Sequence, residues 1–129
     1  MSRYILDEER IHPRIREWIH NLNRDIVDEV QQLIQAHDIV VIGMKWNPFP
    51  RKARKMLDQH DISYHYQEYG SYLSMWRKRN ALKMWTGWST FPQVWVKGAL
   101  IGGFKELARL IESGELQTIL QQDYPATFA

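Results

Sequence analysis

A chain of 129 residues with 44% hydrophobic and 25% charged residues has the size and composition of one globular domain with its own core. Its formal net charge of +2 gives no reason to expect a nucleic-acid-binding protein, and no apolar run approaches the roughly 20 residues that cross a bilayer. The chain has no cysteine, which excludes cysteine-based redox catalysis and thiolate-held metal clusters from this chain alone.

Residues 1–12 form a polar lead. The first 18 residues carry acids and no apolar segment of the kind found in secretory signals, so we expect no export signal and a cytoplasmic location.

Residues 13–36 show the spacing of an amphipathic helix. Asn21 and Asn23 predict an interruption, with Asn23 as the cap of a second helix that starts at Arg24. Two interpretations stay open: the helix packs on its own domain, or residues 13–22 overhang the domain and pair with a protein partner or a second copy. The apolar stripe consists of Ile15, Trp18, Ile19, Leu22, Ile26, Val27, Val30, Leu33 and Ile34.

The rest of the chain alternates strands and helices. The unbroken apolar run from Ile39 to Ile42 predicts a strand buried on both faces. The pattern further predicts helices over residues 51–60, 71–85 and 104–112, strands over 62–67, 92–96 and 99–101, and a turn or two of helix over 115–122. This order predicts a three-layer α/β sandwich with a mixed four-stranded sheet, formed by residues 23–122. Residues 1–22 would be an N-terminal helical extension, and residues 123–129 a flexible tail.

Two stretches of this chain match the motifs of a known protein family. Residues 88–103 read WSTFPQVWVKGALIGG and closely resemble the W-x-T-F-P-Q-x-x-V-K-G-x-x-I-G-G stretch of monothiol glutaredoxins, which belong to the glutaredoxin family and have the thioredoxin-like fold. Residues 47–52 read NPFPRK and fall where that family has C-G-F-S-R-K, or C-P-Y-C in its dithiol branch. The resemblance covers roughly 80 residues, and it identifies the chain as a cysteine-less, divergent member.

The active-site motif itself has changed. Asn47 stands at the position of the catalytic cysteine, and Pro50 at the position of the second cysteine or serine. Asn is a good helix N-cap and Pro is favoured at the first helical position, so a capped helix without exchange chemistry is expected here. Because Pro50 disfavours helical geometry at Phe49, we expect the helix to begin only at Pro50. We therefore predict no catalytic residue in this motif.

The resemblance also implies a glutathione groove beside that motif. The backbone of Phe91, ahead of a cis Pro92, would pair with the tripeptide, and Lys45 and Arg79 would contact its glycine carboxylate. The family commonly has Asp where this chain has Lys105, so the charge that meets the γ-glutamyl amine is reversed. The full candidate ligand-binding set is Lys45, Asn47, Phe49, Arg79, Thr90, Phe91, Pro92, Gly103, Phe104 and Lys105.

Other chemistry finds no support in the sequence. The five histidines lack metal-ligand spacing, and we predict no bound metal and no required cofactor. Two basic runs, at residues 51–55 and 77–83, would draw acidic ligands if both line the groove.

Three functions are compatible with these features. The first is a non-redox pseudoenzyme that binds glutathione or an acidic peptide in the old active-site groove. The second is a glutathione-dependent transferase or isomerase, in which Asn47, Tyr69 or Tyr72 steadies the thiolate of bound glutathione. The third is a ligand-free interaction domain that docks a protein partner or dimerises through its N-terminal helix. None of the three involves nucleic acid or a membrane.

Overall fold

A computed structural model describes residues 2–128, over which helices and strands follow one another in the predicted order. The strands are β1 (Ile39–Gly43), β2 (His65–Glu68), β3 (Gln93–Val96) and β4 (Ala99–Gly102). The helices are α1 (Pro13–Asn21), α2 (Arg24–Ala36), α3 (Pro48–Gln59), α4 (Trp76–Thr86), α5 (Phe104–Ser113) and α6 (Glu115–Leu120), after a single 3₁₀ turn at Glu8–Arg10. No helix within residues 2–128 is long and apolar enough to cross a bilayer.

The four strands form one mixed sheet in the order β2-β1-β3-β4, which confirms the predicted sheet. β1 runs parallel to β2 and antiparallel to β3, and β3 and β4 form an antiparallel hairpin. Val40 lies opposite both His65 and Trp95, so β1 occupies the centre of the sheet. The predicted double-sided burial of β1 is confirmed, since all five of its residues are buried.

Helices cover both faces of this sheet. On one face, Val40 and Ile42 of β1 pack with Val30 of α2 and Leu82 of α4. On the other face, a second cluster joins the sheet to α3, α5 and α6 through Ile39, Val41, Leu57, Leu107 and Leu116. The side chains of β1 alternate between the two clusters, as a strand with helices on both faces requires.

The N-terminal helix is interrupted where the sequence predicts, but Asn23 does not act as the predicted helix cap. α1 ends at Asn21 and α2 starts at Arg24. Asn23 adopts a left-handed conformation with φ of 50°, and its side chain makes no cap hydrogen bond. Asn23 therefore redirects the chain as a left-handed residue, a conformation that Asn tolerates better than most residues.

Two elements are shorter than predicted. The helix predicted over residues 71–85 is α4, which begins at Trp76 because Ser71 and Ser74 form a turn ahead of it. Within that turn the Ser71 N–H donates to Ser74 Oγ at 3.1 Å. β2 begins at His65 rather than at residue 62, since only the later residues pair with β1.

The C-terminal segment was predicted to be flexible, and the structure buries one of its residues, Ala126, while its other described residues are exposed. Ala126 is buried in the core cluster beneath α5 and α6. Its N–H donates to the carbonyl oxygen of Lys97 at 2.9 Å, in the turn between β3 and β4. Burial of a small apolar residue together with a backbone hydrogen bond is what fixes this segment.

Candidate functional site

The start of α3 carries the residues that replace the family's active-site motif. Asn47 is the N-cap, and its Oδ1 accepts a hydrogen bond from the Phe49 N–H at 3.0 Å. This contact satisfies one of the backbone donors that an α-helix leaves unpaired at its first turn. Asn47 thus acts as a helix cap, as the sequence predicts.

The helix begins at Pro48, which corrects the expected start at Pro50. Proline is tolerated in a first helical turn because the N–H that it lacks would have no partner within the helix. Pro50 is buried and packs against Gly43, where an added Cβ would lie 2.7 Å from the Pro50 Cβ. The position of the family's second cysteine or serine has therefore become a packing position under the end of β1.

The loop before β3 forms the second part of the site. The Phe91–Pro92 peptide bond is cis, as predicted. Asn47 Nδ2 donates to the carbonyl oxygen of Phe91 at 3.4 Å, so the cap residue of α3 also reaches this loop. The Gln93 side chain holds the loop from behind, with Nε2 donating to the Trp88 carbonyl oxygen at 3.0 Å. Thr90, on the same loop, is exposed.

The first turn of α5 forms the third part. A Cβ at Gly103 would lie 3.4 Å from the carbonyl oxygen of Pro92, so the cis loop and the start of α5 touch. Phe104 extends towards α3, where its ring lies 6.5 Å from the Phe49 ring. Lys105 is exposed beside it. Glu106 Oε1 accepts the Gly103 N–H at 2.8 Å and completes a capping arrangement.

We call the space bounded by these three parts the cleft. It is defined by Asn47, Phe49, the Phe91–Pro92 bond, Gly103 and Phe104. The structure brings these five features of the candidate set together through the contacts given above. Two aromatic rings, the cis-proline backbone and one side-chain amide meet at this point, an arrangement that suits the binding of a short peptide chain.

Two cations of the candidate set, Lys45 and Arg79, are not brought together with the cleft residues. Lys45 is exposed, and its backbone N–H donates to the Gly70 carbonyl oxygen at 2.8 Å. Arg79 is buried, with 6% of its surface exposed. Its Nη1 donates to the carbonyl oxygens of Tyr69 at 2.9 Å and Ser74 at 2.6 Å.

Those two bonds make Arg79 a support for the segment between β2 and α4. Burial lowers the pKa of Arg79. The expectation that Arg79 offers its guanidinium to a ligand carboxylate is not met by this geometry. Nor is it the solvated helix-face residue that its neighbours in sequence suggest.

The two tyrosines considered for a thiolate-binding role differ in whether their hydroxyl groups can reach a ligand. Tyr69 is buried, and its hydroxyl donates to Glu29 Oε1 at 2.7 Å. Burial and the Glu29 carboxylate raise the pKa of Tyr69. That hydroxyl is committed to α2, so it is not available to a ligand thiolate, whereas Tyr72 is exposed on the following turn.

Each basic run brings one cation close to a cleft residue, and other members of both runs have partners elsewhere. Arg54 stacks on the Tyr66 ring at 3.9 Å, and Lys78 pairs with Asp25 at 2.8 Å. From the first run, only Lys52 is seen to approach a cleft residue, with Nζ 5.0 Å from the centre of the Phe49 ring. Lys83 of the second run lies 5.7 Å from the centre of the Phe91 ring.

Two residues near the cleft were absent from the candidate set. Glu106 was readable from its place three residues after the N-cap Gly103, where a Glu side chain reaches back to the N-cap N–H. Trp88 had no such signal, because its place depends on tertiary contacts. Trp88 Nε1 is buried without a hydrogen-bond partner in the structure and lies 3.7 Å from the position of a Gly103 Cβ.

Replacing Asn47 tests its structural role. We expect Asn47→Ala to lower the free energy of unfolding by about 1–2 kcal/mol, because it removes the helix cap and the contact with Phe91. Asn47→Asp keeps a cap acceptor and adds a charge that the helix N-terminus favours, so we expect a smaller loss. Urea unfolding of both variants measures this difference. Equal losses would show that the cap contributes nothing.

Comparison with known proteins agrees with this geometry. The family model described as Glutaredoxin matches residues 39–101. A glutaredoxin-like protein of Dictyostelium discoideum is 41% identical over 102 residues, which cover 79% of this chain and 83% of that protein. Monothiol glutaredoxin-4 of Schizosaccharomyces pombe is 29% identical over 107 residues, which cover 78% of this chain and 42% of that longer protein.

A solved structure, the buckwheat glutaredoxin–glutathione complex, superimposes with a TM-score of 0.67 at 24% identity. The superposition covers 77% of this chain and 90% of the buckwheat chain, and it establishes the thioredoxin-like fold. The capped helix, the cis-proline loop and the relatives together lead to one conclusion: the chain belongs to the glutaredoxin family, as a member without cysteine.

Proposed function

We propose that this protein is a non-redox glutaredoxin-like module that binds reduced glutathione without a covalent bond. The observation that carries the proposal is the contact between Asn47 Nδ2 and the Phe91 carbonyl oxygen at 3.4 Å. This contact joins two walls of the cleft without any thiol. The replacement residue therefore supports the cleft rather than blocking it, and the site serves binding instead of exchange.

The absence of redox chemistry follows from the groups present. Thiol–disulfide exchange requires a thiolate nucleophile, and the chain has no cysteine. An asparagine amide cannot replace that nucleophile. Pro48 and Pro50 also remove two of the backbone N–H donors that would stabilise an anion at the start of α3.

The cleft retains groups that match a tripeptide. The Phe91 backbone beside the cis-proline bond offers strand-like pairing to a short peptide, although its carbonyl oxygen already accepts a hydrogen bond from Asn47 Nδ2. The amides of Phe104 and Lys105 belong to the first turn of α5, where an α-helix leaves donors for a carboxylate. Lys52 supplies positive charge beside the Phe49 ring. The buckwheat relative in fold is described as a complex with glutathione, which supports the same class of ligand here.

Two features weaken the interaction. The carboxylate of Glu106 already accepts the Gly103 N–H, which places a negative charge at the start of α5. Lys105 would face the γ-glutamyl amine with a charge of the same sign. We therefore expect a dissociation constant in the high micromolar to millimolar range, and a millimolar constant corresponds to about −4 kcal/mol.

A matched pair of ligands tests this proposal by saturation-transfer difference NMR. One is reduced glutathione, and the other is γ-glutamyl-α-aminobutyryl-glycine, which carries a methyl group in place of the thiol. Non-covalent binding to backbone groups predicts similar affinities for both. A strong preference for glutathione would instead favour the transferase interpretation, and binding of neither ligand would exclude the module. If an acidic peptide binds and glutathione does not, the peptide is the ligand class of this site.

Reversing the charge at position 105 should strengthen glutathione binding. We expect Lys105→Asp to lower the dissociation constant several-fold, on the order of the 1.4 kcal/mol that a tenfold change represents. The gain should shrink as salt rises, because the position is exposed and its charge is screened. Arg109→Asp, on an exposed residue later in α5, is the matched control and should leave affinity unchanged. Unaltered binding in Lys105→Asp would place the γ-glutamyl amine elsewhere.

The same proposal favours a cytoplasmic location. The glutathione system keeps thiols reduced in that compartment, so the proposed ligand is available there in its reduced form.

A further inference from the structure

The helix α1 lies outside both core clusters although its sequence is amphipathic. No residue of α1 is buried. Its stripe presents Ile15, Trp18, Ile19 and Leu22 with 48%, 64%, 45% and 39% of their surface exposed. An isolated helix shorter than about 12–15 residues is marginal in water, and α1 has nine. The apolar stripe of α1 therefore stays largely exposed to solvent within residues 2–128, and we expect a partner surface to bury it.

The stripe continues onto α4. Trp76 and Met84 of α4 expose 54% and 66% of their surface. They line a groove of about 430 Å³ together with Trp18 of α1 and Leu22, the residue that follows α1. We call this surface the α1–α4 face and define it by Ile15, Trp18, Ile19, Leu22, Trp76 and Met84.

The exposed apolar area of this face approaches that of one side of a standard protein interface. A fully exposed aromatic side chain presents roughly 150–250 Å². Six large apolar side chains exposed to this degree offer on the order of 600 Å², which compares with about 800 Å² per partner in a stable complex. A monomer's largest apolar patch is typically only about 300–600 Å², so this face lies at the upper limit for an uncovered surface.

The charges on this face suit a second copy of the same surface. Asp25 and Asp28 are paired with Lys78 and Arg24 within the chain. Among the described residues, Glu17 forms no ion pair, and neither does Arg77. Both are exposed, Glu17 beside Trp18 on α1 and Arg77 beside Trp76 on α4. One face thus carries a carboxylate and a guanidinium that can pair with each other across a two-fold axis.

We propose that the protein forms a symmetric homodimer through the α1–α4 face. In a two-fold dimer the same patch meets itself, so a contact from α1 to the partner's α4 occurs twice. Trp18 of one copy packs into the groove beside Trp76 of the other, and Glu17 meets Arg77 across the axis. The contact lies on the opposite side of the sheet from α3 and α5 and leaves the cleft open.

The dimer is tested by sedimentation equilibrium of the full chain, up to about 1 mM protein. We expect a monomer–dimer equilibrium, and we expect Trp18→Glu and Trp76→Glu each to weaken it by at least about 30-fold, as buried aromatic hot spots do. Trp46→Glu is the matched control, because Trp46 is 63% exposed but lies on the loop before α3. It should leave the association unchanged.

A charge exchange identifies the orientation. Glu17→Arg and Arg77→Glu should each weaken the dimer, and the double variant should recover most of the affinity, because both pairs are restored with reversed sign. Hydrogen exchange provides a second readout, since α1 amides should lose protection in Trp18→Glu while those of β1 keep theirs. A wild-type chain that stays monomeric over the whole range would overturn the proposal. So would a dimer that Trp18→Glu and Trp76→Glu leave intact.

Discussion

Replacing Arg79 with alanine is expected to lower the free energy of unfolding by about 2–4 kcal/mol, since it leaves two backbone carbonyl groups without their charged donor. The guanidinium is 6% exposed and joins the carbonyl oxygens of Tyr69 and Ser74 to α4. Within residues 2–128, no other side chain donates to these two carbonyl oxygens. The segment between β2 and α4 should therefore lose its anchor, and the core beneath Tyr69 should loosen with it.

Arg77→Ala is the matched control for this change. It removes the same side chain two residues earlier, where the guanidinium is exposed over the Trp76 ring. Surface substitutions of this kind change stability by less than about 0.5 kcal/mol. Urea unfolding of both variants, at a concentration where the chains are monomeric, separates the two roles. A loss below about 1 kcal/mol for Arg79→Ala would mean that the buried bonds contribute little beyond the cost of burying the charge.

A cysteine placed at position 47 is the second change with a large expected effect. It supplies the only thiol in the chain, at the N-cap of α3, where the Phe49 N–H lies 3.0 Å from the present cap oxygen. The helix dipole and this donor stabilise a thiolate, so we expect the pKa of the new thiol to fall about one unit below its ordinary value of 8.5. Pro48 and Pro50 limit the decrease, because they offer no further donors.

Gln59→Cys provides the comparison at the other end of the same helix. Gln59 is exposed at the last position of α3, where the dipole opposes a negative charge. The pH dependence of alkylation by iodoacetamide should therefore have its midpoint at lower pH for Asn47→Cys than for Gln59→Cys. With glutathione disulfide, the thiol at position 47 should form a mixed disulfide that persists, since position 50 holds no second thiol to release it. Equal midpoints would mean that the start of α3 no longer favours an anion.

Much of the fold was accessible from sequence because the local signals agree with one another. The apolar run of β1 predicted burial on both faces, and the pattern predicted strands over 92–96 and 99–101, where β3 and β4 lie. The placement of Asn47 as a helix cap followed from its preference for that position and from the proline after it. In each case the local preference and the tertiary environment favour the same conformation.

The errors arise where long-range contacts decide the outcome. Arg79 carries the charge of a surface residue, and only the carbonyl groups of a distant turn make its burial tolerable. Pro50 was expected to delay the start of α3, but a proline in the first turn loses no hydrogen bond within the helix. Ala126 lies in a tail of unremarkable composition, and its bond to Lys97 depends on the position of a hairpin turn. None of these partners is marked by spacing along the chain.

Reduced glutathione added to ¹⁵N-labelled protein tests most directly whether the cleft still binds a ligand. Titration to about 10 mM exceeds the expected millimolar constant and should saturate most of the sites. If the cleft binds glutathione, the backbone signals of Phe91, Gly103 and Phe104 and the side-chain amide of Asn47 should shift together with one dissociation constant. Signals from the α1–α4 face should not move. If those cleft signals stay in place at 10 mM while the protein remains folded, the cleft is vestigial and the module proposed here does not exist.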